Sequence, residues 1–514
     1  MSDHDARFTR GVVATPHHLA SEAGRAVLAS GGNAVDAIVA ANLVLGVVTP
    51  YFCGPGGDLF AIVWDGRMHG YLGAGRAPAG VTPADIAARH DGRMPFLGAD
   101  TVTVPEAVGG WFALLERWGT RSFGDLAAGA IRLADEGFTV SDHGGAQFVE
   151  ARAWYPRAQS WQVQYGEVEP GTHFVQPASA RLLRRIAEEG PDGYYRGPVA
   201  EAVAAAVQAE GGGLRPDDLA AHAGEWCDPI TAEYRGTTIA ELPPPTQGVS
   251  VLEALRILDG LDLPDDPVAR THVLVEAVKL ALVDRDAHVS DPDAMAIGPA
   301  DLLADAYVAE RRALLDLDRA TSPPPGRPQR GGTAYLCAAD ADGLFVSLIQ
   351  SNFAGFGSGV FVPEWGINLH NRGSSFSLDD GHINCFAPGK RPLHTLIPAL
   401  ALRDGQPWTV FGTMGGDAQA QVHVQLVSKM VDDGDDPATA IAAPRWRVDP
   451  GTWWLHLESR YPDAIPIGLR ERGHRTADAP AYDSAMGHAH AIRIEADGFH
   501  AGSDPRAEGA ARGV

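Results

Sequence analysis

The chain has 514 residues, of which 45% are hydrophobic and 21% charged, enough apolar material for a large core and too much for global disorder. Lys and Arg total 41 against 65 Asp and Glu, a net charge of −24, which argues against nucleic acid as the main partner because phosphate binding needs surplus cations. Cys53, Cys227, Cys337 and Cys385 are widely spaced with no C-x-x-C pair, so neither a zinc site nor a disulfide framework is expected.

The N-terminus, MSDHDARFTRG, has no apolar stretch behind a basic start, so no secretory signal is expected. Residues 20–30 have helical spacing and stop at Gly31-Gly32. Ala34 to Val48 is the longest apolar run, interrupted by Asp36 and Asn42. It is too short and too polar to span a bilayer, so it reads as a buried helix and the protein as a cytoplasmic one without membrane contact. Glycines cluster in CGPGGDLF (53–60) before the strand-like AIVWDG. Helical patterns dominate 108–136, 178–210, 250–262 and 270–288, and ELPPPTQG (241–248) is a rigid turn into a helix. The segment 317–332, LDRATSPPPGRPQRGG, reads as a loop or linker directly before a strand. TAYLCAADADGLFVSLIQSN (333–352) then reads as strand, turn at Ala341-Asp342-Gly343, strand. More strand-like pieces follow at 360–369, 396–403, 407–412 and 489–494, with a helix at 418–433. The first two thirds therefore read as mostly helical and the last third as mostly strand.

Common catalytic fingerprints are missing: there is no G-x-x-x-x-G-K-[ST], no H-E-x-x-H and no G-x-S-x-G. GFGSG (355–359) fits neither nucleotide spacing and reads as a turn. His488 and His490 would share a strand face but lack a third ligand at a supportive spacing, so no metal is expected.

One junction carries chemistry. A Pro/Gly-rich loop ends in Gly331-Gly332, and Thr333 opens a strand. Were the bond after Gly332 to break, the new α-amine, with a pKa of about 7.7–8.0, would sit beside the Thr333 hydroxyl as its general base. Taken alone, a threonine that merely opens a strand is the stronger reading.

The wider sequence alters that balance. SEAGRAVLASGGNAVDAIVAANLVLGVVTP (21–50), GPGGDLFAIVWDG (54–66), GRAPAG (75–80), VPEAVGGWFALLERWG (104–119), LADEGFTVSD (133–142), GYYRGPVAEAVAAAV (193–207), YRGTTIAELPPPTQGVSVLEALRIL (234–258), GKRPLHTLIPAL (389–400), MGGDAQAQVHVQLVSKMVDDG (414–434) and SDPRAEGA (503–510) resemble the γ-glutamyltranspeptidase family, in order along nearly the whole chain. The resemblance implies an α+β fold of the N-terminal-nucleophile hydrolase type, a four-layer αββα sandwich. It also implies self-cleavage between Gly332 and Thr333 into fragments 1–332 and 333–514, which stay associated as one interlocked body.

Residue by residue, Thr333 falls on the nucleophile and Ser351 on the second hydroxyl that steadies it. Gly415 and Gly416 fall on the oxyanion-hole glycines, and Arg76 on the clamp for the substrate α-carboxylate. The departures are Ala334 in place of a second Thr after the nucleophile, and Phe353 in place of an Asn, with Asn352 adjacent as a substitute. Arg372 and Ser375 stand where the family grips the α-ammonium, and His394-Thr395 where it has Ser-Ser. A site with Arg76 and Arg372 and no facing carboxylate would repel an ammonium group. The alternative for Arg372 is a scaffold arginine paired with a local acid such as Asp379.

The resemblance therefore implies a γ-glutamyltransferase or glutathione hydrolase-like enzyme without cofactor, acting through an acyl-enzyme on a small-molecule amide, with water or an amine as acceptor. The alternatives are an amidohydrolase or acylase for glutaryl-type or oxamate-type substrates lacking an α-amine, and a non-catalytic relative that only binds. Homo-oligomerisation stays open.

Overall fold

A computed structural model describes residues 4–322 and 332–514. Fourteen strands build two large sheets. The first part of the chain supplies β1 (Asp5–Phe8), β2 (Gly11–Thr15), β3 (Asp58–Trp64), β4 (Met68–Gly73), β5 (Glu225–Cys227), β6 (Ile230–Tyr234) and β7 (Thr237–Glu241). The last third supplies β8 (Gly332–Asp340), β9 (Phe345–Phe353), β10 (Ala399–Arg403), β11 (Gln406–Thr413), β12 (Ala489–Glu495), β13 (Gly498–Ser503) and β14 (Ala510–Gly513). One sheet runs β1-β13-β12-β11-β10-β7-β6 and the other β14-β2-β8-β9-β3-β4-β5; every pairing in both is antiparallel.

Period-two alternation assigns each strand face to a layer. Along β8, Ala334, Leu336 and Ala338 face a helical layer, while Tyr335, Cys337 and Ala339 join Phe60, Ile349, Leu400, Val410 and Ile492 between the sheets. The outer face of the β8 sheet is covered by α1 (His18–Ala29), α2 (Ala34–Val48), α3 (Ala107–Trp118) and α4 (Phe123–Glu136). The outer face of the other sheet is covered by α5 (Gly248–Asp259), α6 (Pro267–His288) and α7 (Ala418–Val431). This is the expected αββα order, with three apolar layers holding four structural ones together.

α2 keeps the bounds read from the sequence. Asn33 and Asp36 close a reciprocal capping box at its start, and the helix is buried nearly all round. Its polar Asn42 accepts from Trp111 Nε1 at 2.6 Å and donates to Gln350 at 3.0 Å, tying α2 to β9 one residue before Ser351. The first part is less purely helical than its composition suggests, since it supplies seven of the fourteen strands. The 360–369 stretch forms only the short pair Phe361–Val362 and Ile367–Asn368. The four cysteines are free thiols. Among the described residues no helix is long and apolar enough to cross a membrane. Residues 323–331, with most of the expected linker and Gly331, lie outside the described residues.

Candidate active site

Thr333 sits at an irregularity. β8 pairs with β9 from Ala334↔Gln350 onward, but the register shifts between Gly332 and Ala334, where Gly332 meets Phe353. Thr333 thus stands alone opposite Ser351 and Asn352, the two residues of a bulge on β9, a device that re-aims a side chain. It is buried, and its Oγ1 lies 3.0 Å from Ser351 Oγ. Ser351 shares the inter-sheet face with Ser347 and Ile349, so alternation brings the two hydroxyls together. Ser351 Oγ also accepts from Phe353 N at 2.8 Å, and Phe353 adopts a left-handed φ of 73°. A non-glycine residue there costs about 1–3 kcal/mol and marks an over-determined position. Asn352, by the same alternation, points to the other face, where its Nδ2 donates to Pro50 O at 3.1 Å. It does not substitute for the missing Asn beside Thr333.

The glycine pair follows the end of β11 in the facing sheet. Ser347 donates to Phe411 O at 3.4 Å, and the Tyr335 ring fills the space beside Gly412. Stepping back along β8 therefore corresponds to stepping forward along β11, which carries Thr333 toward Gly415-Gly416 just past the β11 end. Gly415 has φ 134° and Gly416 φ 58°, backbone states that favour glycine. Their carbonyls accept from Ala418 N and Gln419 N as the chain winds into α7. Gln247, at the end of the PPPTQ turn, donates to both Thr395 O (2.9 Å) and Gly416 O (3.1 Å). Arg285 on α6 donates to Gln247 Oε1 at 2.8 Å and to Asp417 at 2.6 Å. Burial disfavours the Arg285 charge, but Asp286 and Asp417 outweigh it and raise its pKa.

Arg372 is fully buried. Its guanidinium carbon lies 4.1 Å from the Phe353 ring centroid, Nη1 donates to Thr395 Oγ1 at 3.3 Å, and Nε is 3.6 Å from Asp58 Oδ2. Among the described residues Nε and Nη2 have no hydrogen-bond partner. Arg372 thus lies between the Ser351–Phe353 kink on one side and Thr395, Gln247 and Gly416 on the other. Its ion-pair partner is Asp58, the β3 residue registered opposite Ser351, and not the local Asp379. Asp58 Oδ2 also meets His370 Nδ1 at 2.9 Å, and His370 Nε2 lies 2.9 Å from Thr103 O. Burial pushes the Asp58 carboxyl up, but His370, His394 and Arg372 outweigh it and hold it at about 2. Burial lowers Arg372 to about 10 despite Asp58, so it stays cationic at neutral pH. His394 packs tilted against Phe60, with Nδ1 3.9 Å from Asp58. Burial and then Arg372 push its pKa well below the usual histidine value. Ser375 is buried, and its carbonyl accepts from Asn384 at 2.6 Å.

Arg76 is placed differently from the others. Its side chain is about a third exposed and is engaged by Glu225 at 3.0 Å and Gly389 O at 3.1 Å, with Asp291 at 3.9 Å. Arg391 shares both of those acids.

The sequence reading missed Asp58, His370, Gln247 and Arg285. The signals present were an acid directly after GPGG and a glutamine closing a proline-rich turn. His488 and His490 do not form a metal site: His488 Nε2 meets Ser484 Oγ at 2.8 Å, and His490 stacks on Tyr335. Among the described residues His272, Glu276 and His474 are the one group with metal-ligand spacing. Lys279 places its ammonium 2.6 Å from Glu276 there, and the histidines bond each other at 2.7 Å. That donor set is closed by a resident cation, which leaves no charge for a metal to neutralise.

The sequence profile described as Gamma-glutamyltranspeptidase matches residues 20–514. The chain belongs to the gamma-glutamyltranspeptidase family. It is similar to the glutathione hydrolase-like YwrD proenzyme of Bacillus subtilis, 38% identical over 523 residues, 98% of this chain and 99% of that one. It is similar as well to the oxamate amidohydrolase proenzyme of Klebsiella pneumoniae, 37% identical over 527 residues and 98% of each chain. The crystal structure of cephalosporin acylase from Bacillus halodurans superposes with a TM-score of 0.95 at 37% identity, covering 100% of this chain and 97% of that one. With these relatives and this fold, this family member is an enzyme of the N-terminal-nucleophile hydrolase and acyltransferase type.

Proposed function

We propose that the protein is a self-processing N-terminal threonine amide hydrolase for acyl groups that bear an acid and lack an α-amine. The observation that carries this is the contact of the Thr333 and Ser351 hydroxyls, at a bulge directly after Gly332, in a chain that matches the family along its length. In maturation the Thr333 hydroxyl attacks the Gly332 carbonyl, the acyl group shifts from N to O, and water opens the ester. The freed α-amine of Thr333 then takes the hydroxyl proton as Thr333 attacks an amide, with Ser351 steadying the pair. Gly415 and Gly416 offer backbone N–H groups to the oxyanion, each such donor contributing roughly 3–4 kcal/mol. Water, or an amine, releases the acyl group.

Substrate choice rests on the charges beside the nucleophile. Arg372 is a buried cation with unused N–H groups, next to Thr395 and Ser375, and suits a carboxylate on the acyl chain. The nearby acids are occupied, Asp58 by His370 and Arg372 and Asp417 by Arg285, so an α-ammonium finds cations and no free carboxylate. Arg76, already held by Glu225, takes a secondary part as a carboxylate clamp at the rim. Oxamate, in the name of the Klebsiella relative, is likewise an acid amide with no α-amino group. The four free thiols suit a reducing, cytoplasmic setting.

Two experiments test the reading. Purified protein should run as two fragments on a denaturing gel, the smaller beginning at Thr333, whereas Thr333→Ala should remain one inactive chain. A different new N-terminus would overturn the assignment. In kcat/KM, glutaryl anilides should be hydrolysed at least as well as γ-glutamyl anilides, which differ only by the α-amine. A hundredfold preference for γ-glutamyl would show that another residue binds the ammonium.

A further inference from the structure

A cavity of about 990 Å³ opens beside the glycine pair, and the mechanism above leaves it unused. Its floor reaches Met414 and Gly415, and its walls include Phe52, Phe96, Trp154 and Phe356. Trp154 meets Phe96 edge-on at 6.1 Å, giving an aromatic wall. None of the acyl-side groups, Arg372, Thr395 or His394, is among its described lining residues. Phe353 touches both compartments: Arg372 lies over its ring, and Phe96 packs against it at 6.4 Å. The strained kink after Ser351 therefore acts as a partition, with the buried cation on one side and the aromatic cavity on the other.

The charges of the cavity are one-sided. Arg447 and His456 reach into it but are bound to Asp449, at 3.3 and 2.9 Å. Glu150 and Asp483 also line it, and among the described residues neither makes an ion pair. Among the described residues, an anion entering this space would meet unneutralised acids and no free cation.

We infer that this cavity holds the amine half of the amide, and that it selects a large, flat aromatic amine, neutral or cationic, over a small or anionic one. The inference rests on the reading of Thr333 and Gly415 as catalytic and names the leaving group for that same site. Acylation breaks the amide C–N bond and forms the Thr333 Oγ–acyl ester. The proton taken from the hydroxyl passes from the Thr333 α-amine to the departing nitrogen, and water later releases the acid. Pockets of roughly 300–1,000 Å³ bury drug-sized ligands, whereas ammonia leaving a small primary amide would leave nearly all of this volume unfilled.

The test uses processed enzyme and two matched free amines, neutral 7-amino-4-methylcoumarin and anionic 7-aminocoumarin-4-acetate, with Kd measured by titration calorimetry. The neutral amine should bind at least tenfold tighter. Trp154→Ala should weaken it at least tenfold, and Glu150→Gln combined with Asp483→Asn should narrow the gap between the two amines. Equal binding of both amines, or binding unmoved by either variant, would overturn the assignment. The glutaryl amide of the same coumarin separates the two readings. Amine binding without turnover would refute the acyl-side proposal and leave the cavity assignment standing. Turnover with no Trp154-sensitive amine binding would do the reverse.

Discussion

Arg372 keeps its charge where water does not reach, and Asp58 is the group that makes this tolerable. Removing one member of a buried ion pair typically costs about 3–5 kcal/mol, because the other is left uncompensated. Asp58→Asn should therefore lower stability by about that amount at neutral pH, read from denaturant midpoints. The pH dependence has a fixed sign. Asp58 is held at about 2, below the ordinary carboxyl value of about 4, so its stabilisation is fully present above pH 4 and fades as pH falls toward 2. The gap between wild type and Asp58→Asn should be flat from pH 7 to 4 and shrink below it; a gap that widened in acid would contradict the pairing. Gly415→Val tests the proposed oxyanion turn. A φ of 134° is open essentially to glycine, so valine should move the backbone donor and lower kcat by roughly 10²–10³. Near-normal turnover in a variant that still self-cleaves would place the hole elsewhere. At this scale the contact of the Thr333 and Ser351 hydroxyls was legible through the family resemblance. The Asp58 contacts were not, since Asp58 and His370 are 312 residues apart and meet only in the folded chain.

The contact between β8 and β11 sets where the two halves of the site meet. Gly412 lies against the Tyr335 ring, and a methyl group there would run into it. Gly412→Ala should force the sheets apart locally and cost about 1–3 kcal/mol, measured as a drop in Tm or denaturant midpoint, with a parallel loss of activity. Unchanged stability would mean that the sheets are looser than this packing implies. Elements with a strong period or a clear cap were readable: α2 by its capping box, and the β8–β9 hairpin by its two apolar runs around Asp342-Gly343. The 178–210 stretch carried a continuous helical pattern, yet it breaks into Pro177–Glu189, Asp192–Tyr195 and Gly197–Ala209 at left-handed Gly190 and Gly197. β2, β6 and β7 were not read from the sequence: each is only five residues long, and β2 is buried on both faces and so lacks alternation.

Neither fragment of the proposed cut owns a sheet. β2 and β3 of the large fragment flank β8 and β9 of the small one, and β10 of the small fragment pairs with β7 of the large. Fragments 1–332 and 333–514 should therefore co-elute on gel filtration after processing, separate only in denaturant, and unfold in one transition. Two native species, or two separate melts, would refute the interlocked body. The family resemblance carried this architecture where composition did not, because a count of helical and strand-like segments says nothing about which strands become neighbours.

The gap between β2 and β3 also gives synthesis a timetable. β3 ends at Trp64 and the strands that fill the gap end at Phe353, so 353 − 64 = 289 residues separate them. At about 5–20 residues per second, the ribosome holds two open strand edges apart for roughly 15–60 s before their partners emerge. The proposed nucleophile, Thr333, belongs to the filling strand, so its hydroxyl meets Ser351 only when nascent β8 and β9 have zipped into that slot. Assembly of the sheet is then the trigger that arms the proposed cut, and a nascent chain that has not yet reached Phe353 has nothing to cut with.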